Sequence, residues 1–213
     1  MKYKCIIFDC DGVLVDSEAI SAKVFQKMLK ELGYGLELKL IEEQITGTSM
    51  QENLQFFEEN IQSKLPPDFA TEFRKRSFEA YKKDLKPIDG IHTLIDKITV
   101  PICTASSGPQ KKIRLNLSIT QLIDKFGNNI FSSFDIGSWK PEPEIYLHAA
   151  KQMGFAPKNC VVIEDSEPGV LAAVKGGFEV YVLTNEKKKD TFEKLGAKVF
   201  YEMKELGALL GID

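Results

Sequence analysis

The sequence predicts an α/β protein, with a parallel β-sheet, helices on both faces and a helical segment inserted after the first strand. Short runs of β-branched and aromatic residues, the first of them Ile6-Ile7-Phe8, are typical of strands covered on both faces. From about residue 101 onward such runs alternate with helical stretches, as they do in βα units. Between residues 17 and 85 the apolar residues keep helical spacing, and no strand-like run interrupts them.

The inserted segment is predicted to be a set of helices. In the first of them Ile20, Val24 and Met28 recur every four residues, and Gly33 follows as a helix stop. Pro66-Pro67 separates the last two helices of the segment. The further helices are expected at residues 38–45, 51–62 and 69–84.

The remainder of the chain is predicted to form the sheet and its crossover helices. After a return hinge at residues 86–90, strands are expected at 101–105, 130–134, 160–164 and 179–183, with a weaker one near Val199. Helices are expected at 109–118, 142–153, 167–176, 188–195 and 202–210. The chain therefore divides into two predicted domains, a core of residues 1–16 with 86–213 and a helical domain of residues 17–85.

Composition narrows the class of protein. With 43% hydrophobic and 28% charged residues and a formal charge of −3, the chain is typical of a globular protein and lacks the basic footprint of a nucleic-acid binder. It has neither an 18-residue apolar run nor a secretory signal pattern. We therefore expect a cytoplasmic protein without nucleic-acid or membrane partners, whose four cysteines are reduced and bind no metal.

Carboxylates follow two of the predicted strands. Asp9 and Asp11 end the first strand with Gly12 just behind them, and Glu164 and Asp165 end the run at 160–163. Because parallel strands end at one edge of the sheet, which carries ligand sites in such folds, these side chains are expected to meet. An ordinary polar turn at Asp9, or a solvated helix start at Glu164 capped by the next serine, is the alternative interpretation.

Carboxylates that meet at one edge need a counter-charge. Each pair repels by about 1 to 4 kcal/mol at 4 Å, depending on the dielectric, and a divalent cation would relieve that repulsion. Oxygen ligation by one or two carboxylates together with substrate phosphate is typical of Mg²⁺. The acidic residues at this edge therefore indicate a magnesium site.

Further segments accompany the run Asp9-Cys10-Asp11-Gly12-Val13 in a consistent order. They are Thr104-Ala105-Ser106-Ser107-Gly108-Pro109, Trp139-Lys140-Pro141-Glu142-Pro143, Ile163-Glu164-Asp165-Ser166 and Gly169. With them the chain resembles, along essentially its whole length, the haloacid dehalogenase superfamily of Asp-nucleophile phosphohydrolases and phosphomutases, in its beta-phosphoglucomutase and phosphoglycolate phosphatase-like branch. The resemblance implies a Rossmann-like core and a helical cap domain.

The resemblance also implies roles for the two aspartates of the first strand. Asp9 matches the nucleophile, which forms an aspartyl-phosphate intermediate. Asp11 matches the general acid and base, which protonates the leaving oxygen and later deprotonates the attacking water. The dehalogenases that give the superfamily its name lack this second aspartate, so Asp11 argues against carbon–halogen cleavage.

The later segments supply a cation, a hydrogen-bond donor and metal ligands. Lys140 would lower the charge repulsion that opposes attack, unless it is an ordinary surface lysine. Ser106, with the amide of Ser107, would donate to the phosphate, and Thr104 is the competing choice for that role. By resemblance the Mg²⁺ ligands are Asp9, the main-chain oxygen of Asp11, Asp165 and Glu164.

Substrate contacts are expected from the helical cap, at Ser17, Ser21, Gly47 and Met50, and from Ser107 of the core. Residues 46–50 resemble the substrate loop of the cap, and a plain interhelical turn is an equally fair interpretation. The beta-phosphoglucomutases have an arginine where this chain has Met50 and a histidine where it has Ser21, which weakens the mutase interpretation. Asp16-Ser17-Glu18 and the segment around Lys140 instead resemble small-metabolite phosphatases, including bacterial enzymes that act on 6-phosphogluconate.

The sequence thus predicts a Mg²⁺-dependent, monomeric phosphatase that acts on a small phosphorylated metabolite, such as a sugar or sugar-acid phosphate. Two alternatives remain open. One is a phosphosugar mutase of the beta-phosphoglucomutase type. The other belongs to a different class, a catalytically silent protein that binds or senses a metabolite.

Overall fold

The computed structural model describes residues 2–45 and 48–212, and the chain divides into two compact units. Asp16–Leu85 forms one unit, and the chain before and after that segment forms the other. We call them the helical unit and the core unit. Within the described part of the chain, no helix combines the length and the apolar character needed to cross a bilayer.

The helical unit is built around one phenylalanine. It contains α1 (Glu18–Glu31), α2 (Leu38–Ile45), α3 (Met50–Ile61) and α4 (Phe69–Asp84). The ring of Phe25, on α1, lies 4.6 Å from that of Phe57, 5.0 Å from that of Phe69 and 5.3 Å from that of Phe73, measured between centroids. A reciprocal capping box between Ser49 and Glu52 starts α3.

The core unit contains a six-stranded, all-parallel sheet, which confirms the predicted α/β class. The strands are β1 (Cys5–Phe8), β2 (Ile102–Ser106), β3 (Ile130–Ser132), β4 (Cys160–Glu164), β5 (Glu179–Leu183) and β6 (Lys198–Phe200), in the order β3-β2-β1-β4-β5-β6. The order reverses between β1 and β4. Ligands bind at such a reversal point in open parallel sheets, outside the carboxyl ends of the strands.

Two strand ends differ from the predictions. Ser106 pairs with Ser132 of β3, so it is the last residue of β2 and not the first residue after it. The strand expected to run to Phe134 ends at Ser132, because the Ser132 hydroxyl accepts a hydrogen bond from the backbone N–H of Phe134 and caps a short helix.

Helices of the core unit cover the sheet. They are α5 (Ile91–Lys97), α6 (Gln110–Ile119), α7 (Ile123–Phe126), α8 (Ser133–Ile136), α9 (Glu144–Gln152), α10 (Glu167–Lys175), α11 (Lys189–Lys194) and α12 (Met203–Leu210), with 3₁₀ turns at Pro157–Asn159 and Glu186–Lys188. Of these, α5, α7 and α8 were not predicted; α7 and α8 are four residues long, and α5 begins after Gly90, which has no side chain to cap it. Cys5, Cys103 and Cys160 are buried in the apolar cluster against the sheet, as expected of small hydrophobic residues.

Replacing the central ring of the helical unit should destabilise it strongly. Phe25 is fully buried, and Phe25→Ala removes three aromatic contacts and leaves a cavity. We expect the free energy of unfolding to fall by about 3 to 5 kcal/mol, measured by urea denaturation. Leu32→Ala is the control, because Leu32 is 41% exposed and should cost less than about 1 kcal/mol. Equal losses in the two variants would contradict this account of the helical unit.

Candidate active site

Side chains from three neighbouring strands meet at the carboxyl edge of the sheet. Phe8 of β1 pairs with Thr104 of β2 and with Ile163 of β4. The backbone N–H of Asp9 donates to the carbonyl of Ile163 over 2.9 Å, which extends the strand pairing by one residue. Asp9 therefore lies level with Glu164, the last residue of β4, as the apolar runs predict.

Lys140 joins this edge from the segment between α8 and α9. Its ammonium Nζ lies 2.5 Å from Oδ1 of Asp9 and 2.6 Å from Oε1 of Glu164. The lysine side chain is 7% exposed, so this is a buried ion pair and not a surface lysine. Burial disfavours the charge of Lys140, but the two carboxylates raise the pKa of its ammonium well above the usual value.

The Asp9 carboxyl experiences opposing effects. Burial raises its pKa to about 7, and the negative charge of Glu164 acts in the same direction, whereas the Lys140 ammonium lowers it. Burial therefore outweighs the attraction of Lys140, and the charged form of Asp9 is disfavoured. Further positive charge beside the carboxylate would favour it.

Both carboxylate oxygens of Glu164 accept hydrogen bonds from protein groups. Oε1 accepts from Lys140 and from the hydroxyl of Tyr146, both at 2.6 Å. Oε2 accepts from the backbone N–H groups of Asp165 at 2.7 Å and Ser166 at 2.8 Å, and from the Ser166 hydroxyl at 3.0 Å. Burial acts to raise the pKa of this carboxyl, but Lys140 and these donors hold it below its usual value.

The metal-ligand role of Glu164 stays a prediction, and the structure gives its carboxylate other partners. Its side chain is fully buried, and five hydrogen bonds use its two oxygens. Its carboxylate instead holds the Lys140 ammonium against Asp9. The alternative of a capped helix start is right in one respect, because the Ser166 hydroxyl accepts from the backbone N–H of Gly169 and caps α10.

Tyr146 was missed by sequence reasoning. It lies on α9, is fully buried, and places its ring 5.0 Å from the Lys140 ammonium as well as its hydroxyl on Glu164. A tyrosine on the apolar face of a helix is normally interpreted as a residue of the hydrophobic core, so nothing in the sequence indicates this contact. Tyr146 fixes the orientation of the glutamate that holds Lys140.

Two glycines allow the acidic side chains to approach the backbone closely. A Cβ atom on Gly169 would lie 1.7 Å from Oε1 of Glu164, and one on Gly12 would lie 1.9 Å from Oδ2 of Asp165. Gly12 also has a φ of +80°, which favours glycine. Because Asp165 packs against Gly12, its carboxylate lies beside the turn that carries Asp11.

Asp11 is held by a helix that sequence reasoning did not connect with the site. Its Oδ2 accepts from the Lys112 ammonium at 2.9 Å, and its Oδ1 from the side-chain amide of Asn116 at 3.3 Å. Both donors lie on α6. The sequence signal was their spacing of four residues, which places two polar side chains on one face of the helix.

The structure separates the two candidates for phosphate donor. Ser106 ends β2, and its hydroxyl accepts from the backbone N–H of Gly108 at 3.0 Å, which leaves the hydroxyl proton available for donation. Thr104 lies two residues earlier and is fully buried. Among the described residues its hydroxyl has no hydrogen-bond partner. The geometry favours Ser106, with Ser107 half-buried beside it.

The donor set fits a magnesium ion with few protein ligands. Across residues 2–45 and 48–212, no cluster of three or more Asp, Glu, His or Cys side chains is close enough to hold a metal. Magnesium does not need one, because it is commonly bound by one or two carboxylates and otherwise by water and substrate phosphate. The carboxylates of Asp9 and Asp165 with the carbonyl of Asp11 are such a set.

The predicted residues of the helical unit have these positions within that unit. Ser17 is buried, and the hydroxyl of Ser21 lies 2.5 Å from that of Tyr81. Met50 begins α3 and packs against the apolar cluster around Phe25. Gly47 lies outside the described residues. The substrate roles of these four positions stay predictions.

Comparisons with known proteins agree with this site. Residues 3–177 match the family model of the haloacid dehalogenase-like hydrolases. The 6-phosphogluconate phosphatase of Escherichia coli K12 is 29% identical over 181 residues, which cover 84% of this chain and 82% of that protein. The phosphorylated carbohydrates phosphatase of Thermotoga maritima is also 29% identical, over 183 residues that cover 83% of this chain and 82% of that protein.

A solved structure adds a bound ligand to the comparison. The haloacid dehalogenase family hydrolase of Deinococcus radiodurans R1, which contains phosphate and sodium, superposes with a TM-score of 0.84 at 30% identity. The superposition covers 98% of this chain and 95% of that one. A protein of the same fold and comparable sequence thus binds phosphate.

Gly169→Ala should break the contacts of Glu164. The added Cβ would overlap Oε1 of Glu164, so the glutamate must leave its five donors and release Lys140. We expect the free energy of unfolding to fall by about 3 kcal/mol or more, as when a buried ion pair loses one partner, measured by urea denaturation. Gly35→Ala is the matched control, since no atom lies within 4 Å of the Cβ it would add. A Gly169→Ala protein as stable as this control would contradict the assignment.

Proposed function

The chain belongs to the haloacid dehalogenase-like hydrolase family and is a phosphoric monoester hydrolase, and from this premise we propose that it hydrolyses a small phosphorylated metabolite through an aspartyl-phosphate intermediate, with Mg²⁺. The observation that carries the proposal is the buried contact of 2.5 Å between the Lys140 ammonium and the Asp9 carboxylate at the carboxyl edge of the sheet.

Asp9 is the proposed nucleophile. Its carboxylate forms a bond to phosphorus while the bond from phosphorus to the ester oxygen breaks, and Asp11 gives a proton to the departing oxygen. In the second step Asp11 takes a proton from water, the water oxygen bonds to phosphorus, and the bond to Asp9 breaks. Both aspartates lie on one short turn after β1, so a single segment of backbone fixes their separation.

The remaining residues of the proposed site interact with the negative charge of the phosphoryl group or position a group that does. The Lys140 ammonium offsets the negative charge of the phosphoryl group as the Asp9 oxygen approaches it. The Ser106 hydroxyl and the Ser107 amide donate to phosphoryl oxygens in this proposal. Glu164 and Tyr146 touch Lys140 and not the substrate, so we assign them to positioning the ammonium.

Mg²⁺ would be held by the carboxylates of Asp9 and Asp165 and by the main-chain oxygen of Asp11. When bound, it would supply positive charge to the phosphoryl oxygens and to Asp9. The proximity of Asp165 to the Gly12 turn supports this ligand set. Glu164 is left out of it because protein donors occupy both of its oxygens.

The proposed substrate is a sugar phosphate or a sugar-acid phosphate. The relatives from Escherichia coli and Thermotoga maritima are phosphatases of 6-phosphogluconate and of phosphorylated carbohydrates. They support that substrate class. Met50 packs in the apolar cluster of the helical unit and supplies no cation for a second phosphate, which favours hydrolysis over mutase chemistry. The action of the helical unit as a cap, the monomeric state and the cytoplasmic location belong to the same proposal.

Asp9→Asn should abolish turnover, because the amide is a far weaker nucleophile than the carboxylate. We expect phosphate release to fall at least about a thousandfold, measured with inorganic phosphate detection at saturating substrate. Asp190→Asn is the matched control, since it makes the same chemical change at an exposed helix start and should retain full activity. Phosphate release by Asp9→Asn at the rate of this control would overturn the mechanism.

Removal of metal should stop the reaction and magnesium should restore it. Purified protein would be treated with EDTA, dialysed and assayed on 6-phosphogluconate and a panel of hexose phosphates, with and without added Mg²⁺. We expect phosphate release only with the metal, because without it the phosphate dianion would meet the carboxylates of the proposed ligand set. Full activity after EDTA would contradict the metal requirement. Faster isomerisation of a hexose 1-phosphate than phosphate release would establish the mutase instead, and binding without turnover would establish the silent protein.

A further inference from the structure

Two polar side chains of α6 hold the Asp11 carboxylate, one at each oxygen. The Lys112 ammonium lies 2.9 Å from Oδ2, and the Asn116 amide lies 3.3 Å from Oδ1. The side chains of Asp11 and Lys112 are each 22% exposed, and Asn116 is fully buried. Donors on two sides restrict the rotation of the carboxylate about its own axis.

The side-chain amide of Asn116 contacts Asp11 through its nitrogen atom, and this contact determines how the amide is oriented. Its nitrogen reaches Asp11, while its carbonyl oxygen is buried and, among the described residues, has no hydrogen-bond partner. Buried polar atoms are rarely left in this state. The contact with Asp11 therefore explains the orientation of the Asn116 amide.

Gly108 brings the same group of residues together from the other side. A Cβ atom there would lie 3.4 Å from the Ser106 hydroxyl, 3.5 Å from Cδ of Lys112 and 3.9 Å from Oδ2 of Asp11. The lysine stem, the serine hydroxyl and the aspartate carboxylate thus converge on one point of the backbone. Lys112 lies next to the proposed phosphate donor as well as next to Asp11.

We propose that Lys112 is a positioning residue for Asp11, which aims the carboxyl group at the ester oxygen of the substrate. The proposal rests on the phosphatase function proposed above and extends it to a residue of α6. Lys112 touches neither the phosphorus nor the leaving oxygen. It acts through Asp11, with Asn116 as the second contact.

The orientation of the Asp11 carboxyl group affects the step in which the leaving group departs. As the bond from phosphorus to the ester oxygen breaks, the electron pair moves to that oxygen and the Asp11 proton moves with it. Proton transfer requires heavy atoms within about 2.6 to 3.2 Å, and a displacement of about 1 Å can cost a hundredfold in rate. A leaving group that is already a stable anion needs no such proton, so its departure does not depend on Asp11.

The test compares leaving groups in Lys112→Met, using kcat/KM for p-nitrophenyl phosphate and for a hexose 6-phosphate. This ratio reports the steps up to departure of the leaving group, so the later proton transfer from water does not enter it. We expect kcat/KM to fall at least about thirtyfold for the alkyl ester and less than about threefold for the aryl ester, within the range of general acid catalysis. Lys112→Arg should restore most of the loss, since it returns a cation to Asp11.

Lys111→Met is the matched control, because Lys111 is the exposed neighbour on the same helix and the charge change is identical. It should leave both esters at the wild-type rate. Equal loss on the two esters in Lys112→Met, or no loss on either, would overturn the role of Lys112 while leaving the phosphatase intact. A wild-type protein that hydrolyses neither these two esters nor 6-phosphogluconate nor any hexose phosphate of the panel would overturn the proposed function and this inference together. Thermal unfolding of each variant, and of Lys112→Gln as a second neutral replacement, shows whether a loss of activity comes from loss of folded protein or from a displaced Asp11 carboxyl group.

Discussion

The site depends on one buried ammonium group held between two carboxylates. Lys140 lies within 2.6 Å of both Asp9 and Glu164 and is almost entirely excluded from solvent. Removing such charges from water costs several kcal/mol per ion, and their attraction repays this only where the remaining hydrogen bonds are made. The surrounding structure can be understood as the set of groups that make those bonds.

Glu164 shows how completely that condition is met. Tyr146, Ser166 and two backbone N–H groups complete its coordination, and Gly169 leaves room for it where any side chain would collide. α9 and α10 are thereby tied to the end of β4 through polar contacts as well as apolar packing. The same lysine contacts Asp9, the proposed nucleophile, one strand away.

The sequence was most informative where the physics is local. The apolar runs of β1 and β4 end in charge, and parallel strands end at one edge, so the meeting of Asp9 with Glu164 could be predicted. Helix α5 was not predicted, because Gly90 at its start has no side chain to cap it and so gives no helix-start signal. The extension of β3 to Phe134 was wrong because a single serine hydroxyl decides between strand and helix at that point.

The contacts that escaped prediction all depend on which face of a helix packs towards the edge of the sheet. Tyr146 on α9, and Lys112 and Asn116 on α6, contact residues 18 to 105 positions away in the chain, and helical spacing alone does not say which polar residue turns inward. The proposed metal ligands raise a related difficulty. Sequence places Glu164 and Asp165 side by side, but only the hydrogen bonds show that the oxygens of the first are taken by the protein.

Charge balance connects these contacts with the chemistry. Asp9, Asp11, Glu164 and Asp165 supply four carboxyl groups, and Lys140 and Lys112 supply two ammonium groups. With every group ionised, these side chains carry two negative charges. Burial raises the pKa of Asp9, and the charges of Glu164 and Asp11 act in the same direction against Lys140. In the proposed mechanism one divalent cation would balance that charge, and a phosphate dianion could then enter without net repulsion. The same ion would favour the charged form of Asp9 and the approach of the proposed substrate.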